Sequence, residues 1–153
     1  MKVTAFALVF GVLLSGCATH QVQYEAVQGK SAETSYTLKE SCYVIKFVRG
    51  KNPTPQIAGV LPIAGMTLQG LPKEVSEINV RRHFGDVVVL GVLPGGTEFK
   101  IESIKSETSF DMGLTKSPII RPLGSAQKLW PLLDAEWISD PLNPLRIHPA
   151  YLK

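Results

Sequence analysis

Residue types that could act as nucleophiles, bases or metal ligands are few in this chain and widely spaced. The histidines are His20, His83 and His148, and the cysteines are Cys17 and Cys42. Protein metal sites usually draw on closely spaced ligands, as in H-x-x-x-H or C-x-x-C, and neither spacing occurs in the sequence. The sequence also lacks the G-x-S-x-G motif and a phosphate-binding glycine loop. We therefore expect no metal, no cofactor and no catalytic residue, and a protein that is not an enzyme.

Cys42 lies in an apolar run, residues 41–48, whose composition is typical of a β-strand. The expected state is a buried free thiol that packs as a small hydrophobe, and an intermolecular disulfide is the alternative. A cysteine peptidase of the cell wall would need a reactive thiol at the start of a helix, with a base such as His83. The sequence Glu40-Ser41-Cys42-Tyr43 lacks the Asp-Cys-Ser-Gly context of such enzymes. A cell-wall hydrolase is therefore the least favoured function.

The first 16 residues have the pattern of an export signal. Lys2 gives a short positive start, residues 3–14 are apolar, and the small residues Ser15 and Gly16 precede Cys17. The apolar run is too short to cross a bilayer, since a transmembrane helix takes about 20 residues. It is therefore predicted to be a signal that is removed.

The sequence Leu14-Ser15-Gly16-Cys17 resembles the lipobox of bacterial lipoproteins. The resemblance implies cleavage before Cys17 and a thioether from its sulfur to diacylglycerol, so that acyl chains such as palmitate hold the protein to the membrane. Ala18 stands where an aspartate would favour the inner membrane, so the implied location is the outer membrane, facing the periplasm. The alternatives are a cysteine that merely ends a secretory signal, and an uncleaved anchor.

Size and composition predict one folded domain behind this anchor. The chain has 153 residues, of which 44% are hydrophobic and 19% are charged, and its formal net charge is +3. Such a balance argues against global disorder, and the interleaved charges argue against a nucleic-acid partner. We divide the chain into a signal peptide (1–16), a lipidated cysteine with a flexible tether (17–35) and a periplasmic β domain (36–153).

The domain is expected to be mainly β, because glycine and proline are scattered and leave only short segments. The clearest pattern is an apolar run at 86–93, a turn at Pro94-Gly95-Gly96 and an alternating run at 97–104, which together predict a hairpin. The C-terminal tail is rich in proline but too apolar to be free, so it should pack onto the domain. Further strands are predicted at 42–48, 66–68, 109–112, 119–123 and 136–138, and one short helix at 73–79.

The hairpin sequence VVVLGVLPGGTEFKIESI resembles the central hairpin of small bacterial SH3-like β-barrel domains. The resemblance implies a small antiparallel barrel with an aromatic-lined groove that holds an extended peptide or a peptidoglycan stem. The candidate binding residues are aromatic residues placed on loops, although both tryptophans would equally suit the core. These residues are Phe84, Trp130, Trp137 and Tyr151.

Two kinds of partner remain open at this stage: an envelope protein assembly, for which the protein would be an accessory module, and peptidoglycan. An exposed aromatic groove would favour the cell wall. A flat apolar patch or an unpaired edge strand would favour a protein partner.

Overall fold

The computed structural model describes residues 21–47, 57–63, 82–84, 87–109 and 113–153. In this part of the chain the α-helices are α1 (Lys30–Glu33) and α2 (Ser125–Leu129), and the 3₁₀ helices are Glu136–Ile138 and Pro149–Tyr151. The strands are β1 (Gln21–Ala26), β2 (Ser35–Thr37), β3 (Cys42–Phe47), β4 (Gly59–Pro62), β5 (Arg82–Phe84), β6 (Val87–Leu93), β7 (Glu98–Ser109), β8 (Gly113–Pro122), β9 (Leu133–Asp134), β10 (Ser139–Asp140) and β11 (Asn143–Ile147).

Nine of these strands form one sheet in the order β1-β7-β8-β9-β4-β3-β6-β5, with β2 beside the first part of β7. Every pairing in the sheet is antiparallel except one parallel bridge, in which Gly59 of β4 lies opposite Asp134 of β9. β10 and β11 form a separate antiparallel pair. The predicted mainly β, antiparallel fold is therefore confirmed. No pairing among the described strands joins β1 to β5, and the SH3-like barrel stays a prediction.

β3 lies at the centre of the core because side chains cover both of its faces. On face A, Cys42 and Val44 pack in the larger cluster of buried residues. On face B, Tyr43 and Ile45 pack in a second cluster with Leu61 and Val89. A strand buried on both faces reads as a continuous apolar run rather than an alternating one. The predicted strand is confirmed for Cys42–Phe47.

The predicted hairpin of β6 with β7 is wrong, although both segments are strands. β6 pairs with β3 and β5, whereas β7 pairs with β1, β2 and β8. The turn between them directs the chain away, because its backbone bonds to another segment: Gly96 N donates to Leu38 O at 2.7 Å, and Leu38 N donates to Thr97 O at 2.9 Å. The longest antiparallel pairing between consecutive strands of the described sheet joins β7 to β8, from Phe99 opposite Pro122 to Ser109 opposite Gly113, with one register shift between Ile101 and Ser103.

The flexible tether predicted for residues 17–35 is not what the structure describes from Gln21 onward. β1 pairs along its length with residues 103–108 of β7, and α1 follows it. The sequence did hold a signal for this strand, since Val22, Tyr24 and Ala26 alternate with polar residues, but the run is short and β1 buries almost no apolar surface. Its stability comes from backbone pairing to β7 instead.

The C-terminal tail packs onto the domain as predicted. Ile138 and Ile147 are buried in the face A cluster, and β9 pairs with both β8 and β4. The strand predicted at 136–138 is wrong, because Glu136–Ile138 is a 3₁₀ helix, stabilised at its start by a bond from Glu136 N to the Asp134 carboxylate at 3.1 Å. The predicted strand at 66–68, the predicted helix at 73–79 and the signal sequence with Cys17 lie outside the described residues.

Candidate functional site

A shallow apolar groove of about 310 Å³ opens on the surface where the chain leaves α2. Trp130 forms one wall, and its backbone N–H donates to Ala126 O at 2.9 Å, which ends the helix. β6 contributes Leu90 on the other side. The full lining is Lys46, Ile57, Ala58, Leu90, Trp130, Pro131 and Leu132.

Two irregularities of β6 shape this groove. Val44 lies opposite Gly91 and Ile45 lies opposite Val89, so Leu90 is the extra residue of a β-bulge. The next residue is a glycine for a steric reason: a Cβ atom on Gly91 would lie 2.8 Å from Cζ2 of Trp130. The indole therefore lies directly on the backbone of β6, and the bulge and the glycine together fix the floor and wall of the groove.

The lining of the groove combines apolar and cationic groups. Leu132 in the lining is 38% exposed, and Leu129, which precedes Trp130 in the chain, is 72% exposed. Lys46 in the lining and Lys128 in α2 are exposed as well. Exposed apolar side chains of this size, gathered around a concavity, are typical of protein–protein contact surfaces. The groove can therefore receive apolar side chains while Lys46 attracts a carboxylate.

A second cluster consists of charged side chains that join β7 to β9 across β8. Lys105 Nζ lies 2.5 Å from Asp134 Oδ2 and 3.1 Å from Glu107 Oε2, and the side chains of Lys105 and Asp134 are only 14% and 10% exposed. Because both charges are largely removed from water, each depends on the other for compensation. The cluster ties the sheet together, and both carboxylate oxygens of Asp134 have a partner, since Oδ2 faces Lys105 and Oδ1 accepts from Glu136 N.

The pKa values of this cluster follow from its mixture of burial and charge. Burial opposes the charge of Lys105, but Asp134 and Glu107 outweigh it, and the pKa of Lys105 is raised. Desolvation and then repulsion from Asp134 raise the pKa of Glu136. A carboxyl with a raised pKa is common in acid–base sites, yet here the neighbouring carboxylate is already paired with a lysine, so we assign the cluster a structural role.

The structure does not gather the predicted aromatic residues into one site. Trp130 lines the groove against face A, whereas Trp137 lies on face B, 36% exposed, with its ring 6.1 Å from that of Phe47. Tyr151 is partly buried against face A and meets His148 edge to face at 6.0 Å. Phe84 contributes backbone to β5, and its side chain lies outside the description.

Cys42 is a buried free thiol, as predicted. Its residue is 2% exposed, and its Sγ donates a weak hydrogen bond to Glu40 O at 3.8 Å. Burial, followed by the charge of Glu40, raises the pKa of the thiol to about 12. A nucleophilic cysteine needs the opposite, a lowered pKa at an accessible position. Burial also keeps this sulfur from an intermolecular disulfide.

One Ser-x-x-Lys spacing occurs in the chain, at Ser125 and Lys128 within α2. In serine hydrolases with this motif the lysine acts on the serine within a shielded site. Both side chains here are exposed, so no such shielding is present.

In comparisons with known proteins, no protein-family model, no curated protein and no solved structure matches the chain. Within the described ranges, no three acidic, histidine or cysteine side chains are placed to hold a metal ion. The helices described here are all too short to cross a membrane.

Sequence reasoning found Trp130 but missed the groove around it. Ile57, Leu90 and Leu132 come from three distant segments, and only the fold brings them together. Gly91 was the available signal, since a glycine inside an apolar strand often marks a bulge or a close approach by another group.

Proposed function

We propose that this protein is a periplasmic lipoprotein, anchored in the outer membrane through a lipid on Cys17, that acts without catalysis as a binding or accessory module of an envelope protein assembly. The lipobox-like sequence at residues 14–17 supports the location. The groove at Trp130 supports binding, and the thiol of Cys42, with its pKa raised to about 12, speaks against a cell-wall cysteine peptidase.

The groove is the observation that carries this proposal. It is open and mainly apolar, and its lining includes Leu132, 38% exposed, whose contact with water costs roughly 25 cal/mol per Å² of apolar surface. An extended peptide with apolar side chains and a carboxylate would cover Leu132 and meet Lys46. A protein partner therefore fits this surface better than a sugar, which would ask for polar side chains in the groove.

The binding claim is tested by purifying the tagged protein from crosslinked cells and identifying what accompanies it. Leu132→Glu places a charge in the groove and should reduce recovery of the main partner about tenfold or more. Leu145→Glu is the matched control, because Leu145 is 51% exposed in β11 and does not line the groove. Equal recovery with both variants would contradict the proposal.

The anchor is tested separately by fractionation of Cys17→Ala. Without the sulfur no thioether forms, so the protein should be found soluble in the periplasm or unprocessed rather than in the outer membrane. Normal outer-membrane fractionation of this variant would end the lipoprotein interpretation.

A peptidoglycan-binding module is the second candidate, and Trp137 is the observation that favours it. Trp137 is 36% exposed and follows Glu136 in the 3₁₀ helix, and a sugar ring could stack on such an exposed indole. Co-sedimentation with purified peptidoglycan should then be lost in Trp137→Ala at unchanged stability. Absence of binding by the unaltered protein removes this candidate.

A further inference from the structure

We propose that the end of the sheet nearest the anchor rests on the lipid surface, with Leu114 placed among the lipid headgroups as a second membrane contact. The region concerned, here named the ribbon, consists of β1 with residues 103–109 of β7 and 113–118 of β8. The inference rests on the lipidation of Cys17 proposed above.

The start of β1 lies close to the anchor. Four residue steps separate Cys17 from Gln21, and a chain spans at most about 3.6 Å per residue, so their Cα atoms are within about 14 Å of each other. A tether running to residue 35 would leave the orientation of the domain open. A strand that begins at Gln21 restricts the orientation, because β1 is paired to β7 and β7 to β8, so the whole ribbon is held near the anchor.

The register of the ribbon places one row of residues at this end. Gln21 lies opposite Thr108, and Thr108 lies opposite Leu114. Neighbouring strands are about 4.8 Å apart, so Leu114 is about 10 Å from Gln21 across the sheet. The other end of β1, at Ala26, lies about 17 Å further along the strand direction, since each residue adds about 3.4 Å.

Leu114 is a large apolar side chain that is 63% exposed at the end of the ribbon nearest Gln21. The nearest charged residues in register are Glu107 and Lys116, which have opposite signs. Contact with lipid would therefore depend on the apolar side chain and on the nearby acyl anchor rather than on anionic headgroups. Two attachment points would fix the orientation of the domain and hold the groove at Trp130 away from the membrane, since α2 follows the opposite end of β8.

The test uses the full-length lipidated protein in vesicles of phosphatidylethanolamine, with and without phosphatidylglycerol. Leu114→Cys carries an environment-sensitive fluorophore, and Leu129→Cys is the matched control, because Leu129 is a 72% exposed leucine beyond the far end of β8. Cys42 should not take the label, since it is buried and poorly ionised. Quenching by aqueous iodide is compared in vesicles and in solution for the delipidated chain.

We expect vesicles to protect the label at position 114 from iodide and to shift its emission to shorter wavelength, equally with both lipid compositions, while the label at 129 stays accessible. If both labels stay accessible on protein that floats with the vesicles, or if both are protected, the inference is wrong while the lipoprotein proposal stands. Protein that fails to float with vesicles overturns the lipoprotein proposal and this inference with it.

Discussion

At the scale of single residues, the groove depends on the contact between Gly91 and Trp130. The indole occupies the space where any other residue would place its Cβ atom, so the glycine is needed for packing. Trp130 in turn separates the apolar core from the groove. The sequence identified the tryptophan as a candidate but could not show which backbone it would touch, since the contact joins residues 39 positions apart.

Gly91→Ala should lower the free energy of unfolding by about 2 kcal/mol and displace Trp130, because an added methyl group overpacks a filled site. Urea denaturation measures the first effect, and tryptophan fluorescence measures the second. Gly59→Ala is the control: its Cβ would meet atoms no closer than 3.7 Å, an ordinary contact, and its effect should be much smaller. Equal losses in the two variants would show that Trp130 moves aside freely.

Cys42 should react with thiol reagents far more slowly in the folded than in the unfolded chain. Its pKa is raised from an ordinary 9.0 to about 12, so the reactive thiolate forms only as the pH approaches 12. Because the thiol ionises at a lower pH in the unfolded chain than in the folded one, the folded state is destabilised relative to the unfolded state as the pH rises above 9. Alkylation rates of Cys17→Ala from pH 7 to 11 test this, and a rate that levels off near pH 9 would contradict it.

At the scale of elements, the sequence predicted strands better than it predicted their partners. The segments 87–93 and 98–104 are strands because β-branched and alternating apolar residues favour extended backbone. The turn between them suggested mutual pairing, yet β3 and β5 occupy both edges of β6. Strand pairing is decided by competition among distant segments, which no local pattern records.

Asp134→Asn should destabilise the protein by about 3 kcal/mol, because it leaves Lys105 largely buried without its main partner. The link between β7 and β9 across β8 is thereby lost. Glu98→Gln, at an exposed position of β7, is the matched control and should change stability by less than about 0.5 kcal/mol. Chemical denaturation distinguishes the two, and a loss no larger than that of the control would mean that the pair at 2.5 Å contributes nothing net.

At the scale of the whole molecule, the C-terminal residues 151–153 pair with residues 37–39. Lys39 N donates to Tyr151 O at 2.8 Å, Lys153 N donates to Thr37 O at 3.0 Å, and Leu38 bridges to Leu152. The prediction of a packed tail came from its apolar composition. The sequence did not predict which residues the tail contacts, because that depends on the hydrogen bonds by which the 94–97 turn holds Leu38.

Deleting residues 148–153 should therefore lower the free energy of unfolding by roughly 2 kcal/mol or more, since Leu38, now 1% exposed, would meet water. Removing Lys153 alone should cost much less. Thermal unfolding of the two truncated chains makes the comparison. Indistinguishable melting temperatures would show that the 3₁₀ helix at Pro149–Tyr151 is not part of the stabilising core.

The groove at Trp130 is the proposed binding site for a protein partner, and site-specific photo-crosslinking in cells tests this role most directly. A photoreactive amino acid at Leu132, in the groove, is compared with one at Leu145, which is exposed as well but lies outside it. We expect a discrete protein adduct from position 132 and none of that mass from position 145. The same adduct from both positions, or none from position 132 in the presence of the mature lipoprotein, would contradict a binding role for the groove.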